Sequence, residues 1–343
     1  MNKLSWVTNL RVLATLSVIL LHAGSYGAEK VGKIPLSDWW ICQIPNTFGR
    51  FTVPVFVMLS GYLLLGKYSD LSQFLSKRLV RVFVPFLIWS LIYIIRANFY
   101  GIKPERTPWD LGIIVQKILT GGGGASYHLW FVYMLLGLYA VTPLLSRWLS
   151  QVPDNEVRFF LVLWIVSSTI YPLVNRLFGF QIAYELRYFS GYIGYFVLGY
   201  WLGNKTTVFS TGVLILLFMI GWAATLYLSY ELSYSIGRFD SFAIDYLSFN
   251  VILMSVSIFL LFKQACNVAF LPNLMNQLDV QSYGMYLAHV GILRILSRKF
   301  HLNYTWINPA LGITVQFVLC VIISFVLIWA IRKIPKVGSW ITG

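Results

Sequence analysis

Negative charge is what this 343-residue sequence has least of: 12 acidic residues stand against 26 basic ones, and charged residues of both signs make up only 11%. A soluble globular domain carries about 25% charged residues, so that class is excluded. Long polar stretches are missing as well. No segment could form a separate soluble domain of about 50 residues, and residues 1–343 read as one membrane domain. The three cysteines, Cys42, Cys266 and Cys320, have neither the spacing of a disulfide framework nor that of metal ligands. No metal site is therefore expected. No internal repeat is visible, parallel or inverted, so one common sign of a secondary transporter is absent. The tract Gly121-Gly122-Gly123-Gly124 lacks the Lys-Ser/Thr that completes a phosphate loop and reads as a plain loop.

Apolar residues are abundant instead, at 58% with a mean hydropathy of +0.72. Runs long enough to cross a bilayer fall at 9–26, 47–66, 82–100, 129–146, 158–175, 188–203, 208–229, 246–263, 283–297 and 309–331. The expected fold is all-α, a polytopic bundle of about ten transmembrane helices with both termini on one side. The basic residues divide evenly between the two sides. Those from Lys67 to Arg81 and from Arg332 to Lys336 are dense and close to span ends, whereas many opposite them spread over longer loops at 27–46 and 101–128. That asymmetry places both termini in the cytoplasm. A net charge of +14 in such a chain serves topology and anionic headgroups, and nucleic acid is not an expected partner. The start of the chain imitates a signal peptide, but Arg11 within the apolar segment argues for an uncleaved first helix.

Ionisable residues inside a membrane span are costly and mark functional sites by default. Arg11 lies at the mouth of the first span and His22 eleven residues deeper. Eleven helical steps return to within about 20° of the start, so the two side chains share a face, about 16 Å apart along the axis. That geometry suits one extended ligand. A neutral imidazole in apolar surroundings can take a proton from a hydroxyl. Arg78 and Arg81 stand three apart, neighbours on one helix face if the third span starts early, and two guanidiniums there could clamp phosphates. His128 opens the fourth span at the opposite surface. Ser282 and His289, seven apart, again share a face, to bond a ligand or to tie their helix into the bundle. Glu185, beside Arg187, is the outer-side carboxylate candidate, although an exposed ion pair there needs no function. Trp39, Trp40, Tyr127, Trp130, Tyr184 and Tyr188 near the outer ends read as interfacial belt residues that would also suit sugar rings.

Taken together, the Arg-x10-His of the first helix, the run Val53-Pro54-Val55-Phe56-Val57-Met58-Leu59-Ser60-Gly61-Tyr62, Arg78-x-x-Arg81, Tyr127-His128-Leu129-Trp130-Phe131 with Thr142-Pro143-Leu144, and Ser282-Tyr283 to His289 resemble the acyltransferase-3 family of integral membrane acyltransferases. The resemblance implies a multi-pass protein of the bacterial cytoplasmic membrane. It implies transfer of an acyl group, usually acetyl, from cytoplasmic acyl-CoA to a hydroxyl of a surface glycan or its lipid-linked precursor. His22 would be the general base, and Arg11, Arg78 and Arg81 would hold the nucleotide and phosphates of the donor. Acyl-CoA enters as co-substrate, and no permanently bound cofactor is expected. His128, Glu185, Ser282 and His289 fall to acceptor binding or support. A stand-alone enzyme acting on polysaccharide precursors is the expected type. A transporter or flippase for a lipid-linked glycan is the main rival, and a scaffold subunit of a polysaccharide synthase is a third reading.

Overall fold

A computed structural model describes residues 5–66, 71–100, 110–119, 126–179, 191–206, 208–268, 271–335 and 337–343. Helices are α1 Ser5–Ala28, α2 Leu36–Phe48, α3 Thr52–Leu64, α4 Leu71–Tyr100, α5 Leu111–Leu119, α6 Trp130–Gln151, α7 Asp154–Ile165, α8 Tyr171–Phe178, α9 Ile193–Asn204, α10 Thr211–Ser235, α11 Phe249–Ala265, α12 Pro272–Phe300, α13 Pro309–Arg332 and α14 Gly338–Thr342. A 3-10 turn at Gly49–Phe51 joins α2 to α3 as one rod, and a π-helical segment, Val166–Ile170, joins α7 to α8. Eight of these units are long and apolar enough to cross a membrane. To them are added α9, which is only 12 residues long, and α12, which is 29 residues long but interrupted by polar side chains.

The core is organised around α1, which packs against α2, α3, α11, α12 and α13. Its apolar window is 67% buried, against 22% for α10, so α1 is an interior helix and α10 a lipid-facing one. Burial on all sides fits a segment whose apolar residues are not confined to one stripe. Small residues let backbones approach where no hydrophobic drive separates protein from lipid. A Cβ added to Gly61 would lie 1.9 Å from the carbonyl oxygen of Phe196, and one added to Gly199 would lie 2.1 Å from that of Met58, so α3 and α9 cross at backbone contact. Helix starts follow local chemistry: Pro309 occupies the first turn of α13, and the Asn308 side chain accepts from the Leu311 N–H at 2.9 Å.

Four sequence expectations change. Residues 36–46, read within a loop, belong to α2, where polar side chains bond within the helix: Asn46 donates to Gln43 Oε1 at 2.9 Å and Thr47 to the Gln43 carbonyl at 2.8 Å. Trp39, read as a belt residue, is fully buried and donates its indole N–H to Ala28 O at 2.9 Å. The span read at 283–297 is the apolar half of α12, whose first half was hidden by Asp279, Gln281 and Ser282. The loop read at 101–128 contains α5, nine residues and too short to cross. Gly121 to Gly124 lie outside the described residues.

Candidate active site

Three of the four histidines meet in one layer. The His22 ring of α1 lies 5.2 Å from that of His289 on α12, and His289 lies 5.2 Å from His128, at the 3-10 turn Tyr127–Leu129 that leads into α6. His128 therefore stands at the depth of His22, not at a separate surface. His289 and His128 are buried, whereas His22 is half-buried and its neighbour Tyr127 is 42% exposed, which makes that pair the accessible edge of the layer. Tyr93 of α4 pins α12 at this level, donating to Leu287 O at 2.7 Å and accepting from the Gly291 N–H at 3.1 Å. Tyr286 donates to the carbonyl of His128.

Partners decide the tautomers. His289 Nδ1 lies 2.5 Å from Tyr286 O, so it carries the proton and donates; Nε2 is left unprotonated, buried and without a hydrogen-bond partner. His128 Nε2 faces Leu287 O at 3.4 Å and Nδ1 faces the Ser126 hydroxyl at 3.0 Å, an arrangement satisfied when Nε2 donates and Nδ1 accepts. His22 Nδ1 lies 3.0 Å from the Tyr127 hydroxyl. With Nδ1–H donating to the phenolic oxygen, His22 Nε2 keeps a free lone pair, the state a general base requires. Among the described residues no group of three or more His, Cys, Asp or Glu is arranged to hold a metal ion.

Below this layer lie two cavities that share Arg11. The larger, about 540 Å³, is lined by Arg11, Arg81, Asp279, Arg332, Trp340 and Gly343 among others. The smaller, about 120 Å³, runs beside Arg11 between Phe56, Leu59, Phe131, Ser282 and Tyr286. Tyr286 in turn touches both His289 and His128, with ring centroids at 5.6 Å. A wide basic cavity thus adjoins a narrow apolar one at Arg11, and Tyr286 alone stands between the narrow cavity and two of the histidines. The early start of α4 at Leu71 puts Arg78 one turn before Arg81 on the same helix. Arg11 is not free: Nη1 pairs with Asp279 Oδ1 at 2.5 Å, and the Asp279 side chain is 3% exposed against 27% for Arg11. Ser282 donates to the carbonyl of Asp279 at 2.8 Å while lining the narrow cavity.

Beside the layer stands an aromatic cluster. Trp130 lies 5.6 Å from Tyr192 and 5.7 Å from Tyr246, and all three are half-buried. Arg50, at the α2–α3 junction, projects over the Tyr246 ring at 5.8 Å. Glu29, just past the end of α1, has its carboxyl raised above the usual range by burial, with Arg50 and Lys30 pulling the other way. Glu185 and Arg187 lie outside the described residues. Sequence reasoning missed Arg50, Asp279, Tyr93 and Arg332 as site residues. Arg50 carried a usable signal, since it falls inside the apolar run at 47–66. Asp279 carried none, because the helix that holds it was not legible that far.

The histidine layer thus has a basic mouth and an apolar cavity on one side and an aromatic cluster on the other. Comparison with known proteins bears on the chemistry. A family model described as an acyltransferase domain matches residues 4–331. The Bacillus subtilis (strain 168) protein YfiQ, whose name provisionally describes it as a membrane-bound acyltransferase, is 24% identical over 359 aligned positions, covering 97% of this chain and 92% of that protein. No solved structure matches significantly. The match over nearly the whole length, on a helical membrane bundle, establishes that this chain belongs to the acyltransferase-3 family of integral membrane acyltransferases.

Proposed function

We propose that the protein transfers an acetyl group from cytoplasmic acetyl-CoA to a hydroxyl of a cell-surface glycan or its lipid-linked precursor in the bacterial cytoplasmic membrane, with His22 as general base. The observation that carries this reading is the shared wall of the two cavities at Arg11. Phosphates resting on Arg11 and Arg81 leave the thin acyl-bearing arm to thread the apolar cavity past Ser282 and Tyr286, and about 16 Å of helix separates Arg11 from His22; the Arg78 side chain, expected beside them, lies outside the described residues.

His22 Nε2 takes the proton of the acceptor hydroxyl as its oxygen attacks the thioester carbonyl; the tetrahedral oxyanion then collapses, breaking the C–S bond, and the expelled thiolate takes that proton back from His22, restoring the base. A positioned base contributes about 10²–10⁴-fold to such a step. His128 and His289 support the layer that orients His22, and Glu185 stays the outer-side candidate for contact with the acceptor.

Purified protein in lipid nanodiscs, given labelled acetyl-CoA and a panel of glycan acceptors, tests the reading. Wild type should release or transfer label, His22→Ala should lose turnover while retaining donor binding, and Arg81→Ala should weaken donor binding. Normal turnover in His22→Ala would refute the catalytic assignment. No turnover by folded wild type, with glycan moved across the bilayer instead, would favour a flippase.

A further inference from the structure

Arg50 is a cation at membrane depth that the acyl-transfer chemistry does not use. Its place is fixed by α2: Gly49 packs against Ser17 and Leu21 of α1, which sets Arg50 within about one helical turn of His22. Two of the five guanidinium N–H groups are engaged, Nε donating to Asn46 O at 3.1 Å and Nη2 to Asn46 Oδ1 at 2.5 Å. The Tyr246 hydroxyl is a further hydrogen-bonding partner, and it is neutral. Two carboxylates lie in Coulombic range, Glu29 and Asp245, but neither reaches 4 Å, and Asp245 Oδ1 already accepts from the Leu247 N–H at 2.8 Å. The neighbouring amides give no counter-charge: Asn46 turns its NH₂ to Gln43 Oε1, and the fully buried Gln43 Nε2 has no partner.

A half-buried guanidinium without an ion pair keeps donors available to an anion, and pairing there is worth more than at an open surface. Among the described residues none forms an ion pair with Arg50, which leaves the guanidinium open to an anionic ligand. The surroundings say which kind: the cation stands over Tyr246, in the aromatic cluster with Trp130 and Tyr192, whose ring faces suit pyranose rings, and within Coulombic range of both His22 and Tyr127. We infer that Arg50 is an oxyanion subsite for the acceptor, so that the preferred acceptor is a glycan bearing a carboxylate or phosphate near the hydroxyl presented to His22. The identification of the ligand as an acceptor rests on the acyltransferase reading; the anion site itself does not.

The test is binding, not turnover. The full chain in nanodiscs is titrated with methyl β-D-glucuronide, glucose 1-phosphate and methyl β-D-glucoside, following the shift in thermal unfolding. Wild type should bind at least one anionic sugar 10-fold or more tightly than the neutral glucoside, and which of the two it prefers separates carboxylate from phosphate. Arg50→Gln should abolish that preference. Arg50→Lys, a point charge without the planar fork, should retain part of it. Should Arg50→Gln fail to fold, the wild-type ratio and Arg50→Lys still decide. Equal binding of all three sugars, no binding of either anionic sugar, or a preference that survives Arg50→Gln would overturn the inference. Labelled acetyl-CoA turnover in the same samples reports separately on the acyltransferase reading.

Discussion

The Arg11–Asp279 pair offers the sharpest quantitative test of the basic mouth. In the absence of donor, Asp279 supplies Arg11 with a counter-ion at 2.5 Å and accepts a long bond from the Thr8 hydroxyl at 3.4 Å. Asp279→Asn keeps an oxygen for the guanidinium but removes the charge. A donor phosphate bound on the far side of Arg11 sits about 6 Å from the carboxylate, where like-charge repulsion at an effective dielectric of about 40 costs about 1.4 kcal/mol. Removing it should tighten the binding of CoA roughly tenfold. Partial exposure of Arg11 makes the gain sensitive to salt, so it should shrink between about 50 and 300 mM NaCl. Radiolabelled CoA binding in nanodiscs, at both salt concentrations, measures it directly. Unchanged or weaker binding in Asp279→Asn would refute the counter-charge reasoning and leave Asp279 as a group that orients Arg11.

Other outcomes follow from the histidine layer and the helix crossing. Tyr127→Phe leaves His22 Nδ1 without its partner at 3.0 Å, and kcat should fall roughly tenfold with donor KM unchanged; unaltered kcat would remove Tyr127 from the site. Complete loss, with an acylated Tyr127 peptide found in wild type by mass spectrometry, would reassign that hydroxyl as a nucleophile. Because the base must be unprotonated, activity should rise with pH through the ionisation of His22 and then level; a flat acid limb in the chemical step would count against it. Gly61→Val sets side-chain carbon against the Phe196 backbone, and prying α3 from α9 should cost about 1–3 kcal/mol, read as a lowered unfolding temperature. An unchanged transition would mean that the crossing is looser than described.

Legibility in the sequence tracked how directly a residue's surroundings are encoded next to it in the chain. The α1 reading needed only helical periodicity, because Arg11 and His22 lie on one helix and their spacing follows from its geometry. The meeting of His22 with His128 and His289 is tertiary, set by Tyr93 pinning α12 and by the 3-10 turn before α6, and nothing local announces it. Hydropathy failed at α2 and at the first half of α12 for a common reason. Both carry buried polar residues, Gln43, Asn46 and Thr47 in α2 and Asp279, Gln281 and Ser282 in α12, several of them bonded within their own helix, so low hydropathy there does not mark a loop. Arg50 was legible, a cation inside the apolar run at 47–66, but the α2 contacts that position it were not.

The histidine layer draws its members from positions 22, 127–128 and 289, and its two cavities from still more of the chain. Membrane insertion proceeds from the first helix onward, so a nascent chain holds Arg11 and His22 long before the last contributor arrives. Until α12 docks, Arg11 has no Asp279, His22 has no neighbouring His289, and the narrow cavity lacks the wall made by Ser282 and Tyr286. Competence to react is thereby tied to completion of the bundle. Partly inserted chains carry the charged first helix before the assembled site exists.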